Sequence, residues 1–315
     1  MLLDIRRTTK VTWLIVITLI VLLAACSKRE NPLPKAFNSP EEAGDAIVQA
    51  GKSGDQAQVL AIFGPGSKDI IYSGDSVQDK SAVDGFLARY QTMHRWRSMT
   101  DGSQLLLVGA DNYPFPIPLK KTPEGKWFFD TAAGKDEIMA RRVGRNELAV
   151  IDVCAALVDA QNEYFSQPRD GAKTKQFALK FISDNGKQNG LYWDSPEGQP
   201  HSPLGPLVAF ASEEGYSIKP TAHVPFHGYY FRILTKQGAH APGGAKDYVV
   251  NGKAVGGFAF IAYPAEYKNS GIMTFMVGPD GVLLQKDLGE KTSDIAAAIT
   301  EYDPGDGWSD AVHQE

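Results

Sequence analysis

Leu148-Ala149-Val150-Ile151-Asp152-Val153-Cys154-Ala155-Ala156-Leu157-Val158-Asp159-Ala160-Gln161-Asn162-Glu163-Tyr164-Phe165 is the stretch whose reading decides the fold. Leu148, Ile151, Ala155 and Val158 fall at i, i+3, i+7 and i+10, the spacing of one helical face, and Tyr164 and Phe165 extend it. A long helix is therefore expected over 135–166, with Gly144 as a candidate break, and a second over Thr174 to Ile182, ended by Asp184-Asn185-Gly186. From Gly215 the chain changes character and becomes rich in β-branched residues, aromatics and turns. Strands are expected at Tyr229 to Leu234, Gly257 to Tyr263 and Thr274 to Val277, after which Gly278-Pro279-Asp280-Gly281 turns into a return strand over Val282 to Lys286. A long helix followed by hairpin-linked strands reads as an α+β unit, the helix packed on an antiparallel sheet.

Upstream lies a second α+β unit of helices plus a small antiparallel sheet. Ser39 is a good N-cap, Pro40 suits the first helical position, and Glu42 completes a capping box. Short helices are expected over Gln56 to Phe63 and Lys80 to Met93, the latter with Val83, Phe86, Leu87 and Tyr90 on one face. Gln104 to Gly109 and Lys126 to Asp130 read as strands, while the prolines of Phe115 to Leu119 limit that stretch to an edge. The chain thus divides into a leader over 1–25, a polar tether over 26–36, an N-terminal α+β domain over 37–134 and a C-terminal α+β domain over 135–312.

The leader has its own logic. Arg6, Arg7 and Lys10 precede an apolar run from Val11 to Ala25, which ends at Leu23-Ala24-Ala25-Cys26. That is the order of a secretory signal, and a stretch of 15 residues falls short of the roughly 20 that a spanning helix needs. Leu-Ala-Ala-Cys resembles the lipobox of bacterial lipoproteins, which implies cleavage before Cys26 and a diacylglycerol on its thiol. Two or more acyl chains anchor stably, so a membrane-tethered protein with a water-exposed body is expected. Ser27 rather than Asp after Cys26 implies, by resemblance to enterobacterial sorting, the outer membrane facing the periplasm.

Composition narrows the function classes. The whole chain carries a formal charge of −5, and the leader, with three basic residues against Asp4, takes a net +2 with it. The mature chain is acidic and has no basic block, which argues against nucleic acid. Of two cysteines, only Cys154 remains once Cys26 is acylated, so no disulfide framework and no cysteine metal site is available, and Cys154 reads as a buried thiol in an apolar run.

Several motifs carry resemblances. Arg141 to Leu148, Asp159 to Tyr164, Gly190-Leu191-Tyr192-Trp193 and His227-Gly228-Tyr229-Tyr230-Phe231 resemble a bacterial envelope family, domain of unknown function 2950. The helix ending in Ala160-Gln161-Asn162-Glu163-Tyr164-Phe165, with the strands after it, resembles type IV pilin and pseudopilin head domains. That likeness implies a pilin-like head over about 145–290 and no filament role, since a folded domain precedes the helix. The first unit loosely resembles the NTF2-like fold.

Few residues point to chemistry. His223 and His227 lie four apart, but Pro220 and Pro225 argue for extended chain, and two histidines without a third ligand do not make a metal site. Asp152, Asp159, Glu163 and His227 could form an acid–base set only if the fold assembled them. Gly243-Gly244 lacks the Lys and Ser/Thr of a phosphate loop. Arg141, Arg142 and Arg145 read as a solvated or inter-domain cluster. The remaining signal is aromatic: Tyr192-Trp193 and Tyr229 suit a partner-binding surface, with Gln237 and His240 on an expected exposed loop over 236–248. No cofactor and no catalytic residue is expected. The leading reading is a non-catalytic binding module for an envelope protein or polymer. A small-molecule binder using an NTF2-like cup over 37–132 and a hydrolase with an unrecognised site stand as alternatives.

Overall fold

The computed structural model describes residues 34–312 except 197 and 218–223. Cys26, the leader and His223 lie outside the described residues. The fold is α+β, with every strand pairing antiparallel.

Helix α1 (Pro40–Ser53) starts as its sequence dictates: the Ser39 side chain accepts from Glu42 N, and the Glu42 carboxylate reaches back to Asn38 N at 2.8 Å. Gly54, at φ 66°, ends it in the left-handed conformation that favours glycine. Helices α2 (Gln56–Phe63), α3 (Lys68–Ile71) and α4 (Ser76–Thr92) follow. They pack on a five-stranded sheet of β1 (His94–Ser98), β2 (Gln104–Val108), β3 (Tyr113–Pro114), β4 (Leu119–Lys121) and β5 (Trp127–Phe129). Phe37, Phe63, Phe115 and Phe129 fill the space between, with ring centroids 5.2 to 6.3 Å apart. The expected face of α4 is only partly used: Tyr90 is buried, Phe86 and Leu87 are half-buried and Val83 is exposed.

Helix α5 (Thr131–Phe165) is continuous through Gly144. A glycine inside a helix costs about 1 kcal/mol, and contacts at both ends offset that. The Thr131 hydroxyl donates to Phe63 O, and Ile138 packs on the N-terminal core. Further along, Val150, Val153, Cys154, Leu157, Ala160 and Tyr164 are buried on the C-terminal sheet. This shifts the expected stripe. Leu148 is 67 % exposed, Ala155 is exposed, and Ile151 and Val158 are half-buried. The true face runs through Asn146 and Gln161, two buried polar residues that an apolar count skips.

No helix forms over 174–182. Gln161, fully buried, donates from Nε2 to Ala178 O and accepts at Oε1 from Ala178 N, both at 2.9 Å. Phe177 bridges to Ala254 and Ile182 to Tyr192, so the segment is extended. Gly190 lies so close to it that a Cβ there would sit 2.7 Å from the backbone of Ile182 and Ser183. Helix α6 (Gly205–Glu214) and β6 (Tyr229–Leu234) come next. Two ribbons follow, β7 (Lys236–Gln237) with β8 (Lys246–Asp247) and β9 (Val249–Val250) with β10 (Lys253–Ala254). Then come β11 (Ala259–Pro264), β12 (Met273–Val277), β13 (Leu283–Asp287), α7 (Thr292–Ala298) and β14 (Ser309–Asp310). The C-terminal sheet has the order β14-β13-β12-β11-β6.

Strand β11 is buried at all six positions because the sheet is covered twice. Phe260 and Ala262 join the core under α5, while Ala259, Ile261 and Tyr263 join a second cluster with Ala296 of α7 and Tyr302. Among the described residues no helix is long and apolar enough to cross a membrane.

Candidate functional site

The motif residues of α5 act first as anchors. Arg142 donates to Ile70 O at 2.6 Å and to Asn269, while burial lowers its ordinarily very high pKa. Asn146 donates to Ser270 O, and the Glu147 carboxylate accepts from Ile272 N and Met273 N, both at 2.9 Å. One helix thus holds the β11–β12 connection and the first unit together. Gly228, at φ 74°, lies against this cluster, where a Cβ would meet Asn146 Nδ2 at 2.6 Å.

Beside it, a buried polar contact joins the two halves of the chain. Asp75 caps α4 by accepting from Val77 N and Gln78 N, and it also accepts from the Tyr216 hydroxyl at 2.6 Å. Burial and then that hydrogen bond push the Tyr216 phenol well above its ordinary range. Gln78 Nε2 lies 3.3 Å from His227 Nδ1, and His227 Nε2 lies 3.2 Å from Glu214. Because an amide nitrogen only donates, Nδ1 accepts, and the neutral imidazole gives its Nε2 proton to Glu214. Burial lowers the His227 pKa, with Glu214 and Asp75 opposing. His227 is therefore committed to this contact, while Asp152, Asp159 and Glu163 are exposed along α5. The four are not assembled into an acid–base set.

The aromatic candidates separate by exposure. Tyr229 is fully buried, its hydroxyl donating to Met273 O at 3.0 Å, so it is a core residue and not a surface contact. Gln237 is also corrected: it is 4 % exposed and stitches its loop from within. It donates to Pro242 O and Gly244 O and accepts from the Tyr248 hydroxyl. His240 does reach the surface, where its ring and backbone N lie 2.8 to 3.0 Å from the Asp303 carboxylate. Cys154 is buried, and burial pushes its thiol up to about 12.

The His240–Asp303 pair gives a signed pH expectation. Asp303 hydrogen-bonds His240 and raises the imidazole pKa; His240 in turn lowers that of Asp303. The imidazole contribution is complete below its unfolded value of about 6.5 and fades as pH rises through the raised folded one. The carboxylate contribution is complete above about 3.9 and fades as pH falls through the lowered folded value. The melting-temperature gap between parent and His240→Ala should therefore be small, peak near pH 5 and shrink on either side. A gap that stays flat across a pH series of thermal melts would contradict the pairing.

Trp193 is the candidate that reaches open space. It lines an open cleft of about 440 Å³ with Gln167, Arg169, Gln188, Asp194, Ser195, Pro196, Gln199, Pro200 and His201. The volume lies within the roughly 300–1,000 Å³ of small-ligand sites. The end of α5 positions the cleft: the buried Tyr164 donates to Gln188 O at 2.7 Å, and Gln161 pins the segment before it. The Arg169 guanidinium lies 5.5 Å from the Trp193 ring and 5.8 Å from that of Tyr164. With the Gln167 amide turned so that its oxygen faces Arg169, it accepts from both terminal nitrogens, at 3.0 and 3.2 Å. Tyr192, half-buried, donates to Asp194 at 2.7 Å, a bond that raises the Tyr192 pKa. Arg169 Nε and Ser195 Oγ are buried without a hydrogen-bond partner among the described residues. Sequence reading found Tyr192 and Trp193 but missed the other walls, which lie in an irregular segment with no motif.

A family description, Protein of unknown function (DUF2950), matches residues 34–311. The chain belongs to the DUF2950 family. No curated protein and no solved structure matches it. In this DUF2950 chain the four quoted motifs come together around α5: the arginine motif holds the β11–β12 connection, the Gln161 and Tyr164 motif holds the cleft segment, and His227-Gly228 closes the junction.

Proposed function

We propose that this chain is a lipid-anchored cell-envelope protein that acts by binding, presenting the Trp193 cleft to an envelope protein or polymer. The observation that carries the binding reading is the cleft itself. It combines one aromatic wall with polar side chains held on a buried scaffold. An apolar wall bordered by polar groups that can fix a ligand's orientation suits a recognition site. Support for the anchor is the leader, with its basic start, apolar run and Cys26. The pilin-like reading of the second unit adds a head domain that presents a surface and builds no filament.

Two experiments test this. Labelled palmitate should enter the wild type and not Cys26→Ser; a wild type that takes up none, or keeps residues 1–25, defeats the anchor. A crosslinking pull-down from native envelope should lose at least ten-fold in capture with Trp193→Ala, and unchanged capture would remove the cleft.

A further inference from the structure

The sheet of the first unit has an open edge at β1. On the far side, β5 is closed by Phe37, whose N–H donates to Trp127 O at 2.7 Å and whose O accepts from Trp127 N at 2.8 Å. On the near side, β1 pairs with β2 alone. Met93 O accepts from Gly109 N at 2.8 Å, and Met99 N donates to Ser103 O at 2.9 Å. Bonded pairs alternate along an antiparallel ladder, so Arg95 and Arg97 also bond β2, while His94, Trp96 and Ser98 turn their N–H and C=O groups outward. Those outward groups meet no backbone partner among the described residues. Such a row is a template for another strand.

Charge selects which strand fits. Arg95 and Arg97, two residues apart on one face, are exposed and make no hydrogen bond or ion pair among the described residues. Trp96 is half-buried on the other face, against the core of the first unit. The α1 carboxylates Glu41 and Asp45 lie on that core side, near Tyr90. Asp101, in the turn after β1, accepts from Ser103 N and Oγ at 3.0 and 2.6 Å. Residues of an added strand opposite Arg95 and Arg97 would form the non-hydrogen-bonded pairs, whose side chains come closest, and opposite charges there stabilise. A second copy of β1 supplies the wrong sign. Self-pairing centred on Arg95, Trp96 or Arg97 places arginine opposite arginine, which destabilises.

We propose that β1 takes up an extended segment of a partner protein as an added strand. Carboxylates at alternate positions of that segment face Arg95 and Arg97, and an apolar residue between them lies beside Trp96. The backbone of His94, Trp96 and Ser98 supplies the hydrogen bonds, and the arginines select an acidic strand. This surface belongs to the first unit and does not rest on the Trp193 cleft.

The test titrates the full chain in detergent with a peptide that alternates glutamate with valine, and with its lysine–valine counterpart. Calorimetry reports binding. The proposal expects saturable binding of the glutamate peptide, at least ten-fold tighter than the lysine peptide. N-methylation of the valines, whose N–H groups would face β1, should weaken it at least ten-fold. N-methylation of the glutamates, whose N–H groups would face away, should be tolerated. Arg95→Glu with Arg97→Glu should reverse the preference between the two peptides and leave the melting temperature nearly unchanged, because both residues are exposed. Binding indifferent to valine methylation would reduce the contact to charge alone and overturn the added strand. Binding unchanged in the double variant would place the peptide elsewhere and overturn the proposal. No binding of the glutamate peptide would mean that the arginines only guard the edge against pairing, which also overturns it. A dimer of the chain alone in sedimentation, dissolved by the glutamate peptide, would make the occupant a second copy and overturn the choice of partner.

Discussion

Phe260→Ala should destabilise the protein by about 3–5 kcal/mol, the range for deleting a buried aromatic ring. Phe260 is fully buried in β11, with the rings of Phe181 and Phe258 at 5.8 and 5.7 Å. It belongs to the cluster that also holds Val153, Cys154 and Leu157 of α5. Removing the ring leaves a cavity between a sheet and a helix that are both pinned elsewhere, so little collapse can fill it. The cleft segment contributes Phe181 to the same cluster, so it should loosen with the core. Urea unfolding measures the loss, with Val250→Ala on the exposed ribbon as a control expected within about 0.5 kcal/mol. A loss below about 1 kcal/mol would mean that the helix does not rest on this sheet as described.

The second large effect is at the junction. Asp75→Ala removes two things at once: the cap of α4, worth about 1 kcal/mol, and the acceptor of the buried Tyr216 hydroxyl, whose orphaning costs about 1–3 kcal/mol. The combined loss should be about 3 kcal/mol. Tyr216→Phe removes only the hydroxyl and should cost less than Asp75→Ala. In the double variant the two losses should fall short of their sum, because both sever the same bond. Strict additivity in urea unfolding would show that Asp75 and Tyr216 act independently and that the two units are not joined here.

Legibility in the sequence followed the physics of each element. The helix start at Ser39 and the strands Tyr229–Leu234 and Leu283–Asp287 could be read because caps, alternation and turn residues act over a few positions. The long helix was legible as an element, yet its buried face was not. Gln161 and Asn146 face inward because each finds a backbone partner far along the chain, Ala178 and Ser270. The stretch over 174–182 carries a helical pattern, but its backbone is claimed by Gln161 and by bridges to Ala254 and Tyr192. Such partners leave no local signal.

The candidate cleft was legible only at its aromatic edge. Trp193 was visible beside Tyr192, whereas Arg169, Gln188 and Gln199 become neighbours only after Tyr164 and Gln161 fold the segment back on α5. Tyr229 and Gln237 misled in the opposite direction. Each looks suited to a surface, and each is buried with its polar atoms hydrogen-bonded inside the chain.

The most direct test of the central claim, a tethered protein that binds an envelope component through the Trp193 cleft, is a photo-crosslinker placed at Gln199 in the full chain in native envelope. Gln199 is an exposed rim residue, and Val250 on the exposed ribbon serves as the reference position. The account predicts a discrete adduct from position 199 that is absent from position 250 and is lost when Trp193→Ala is added. No adduct from 199, or an equal adduct from both positions that survives Trp193→Ala, would contradict it.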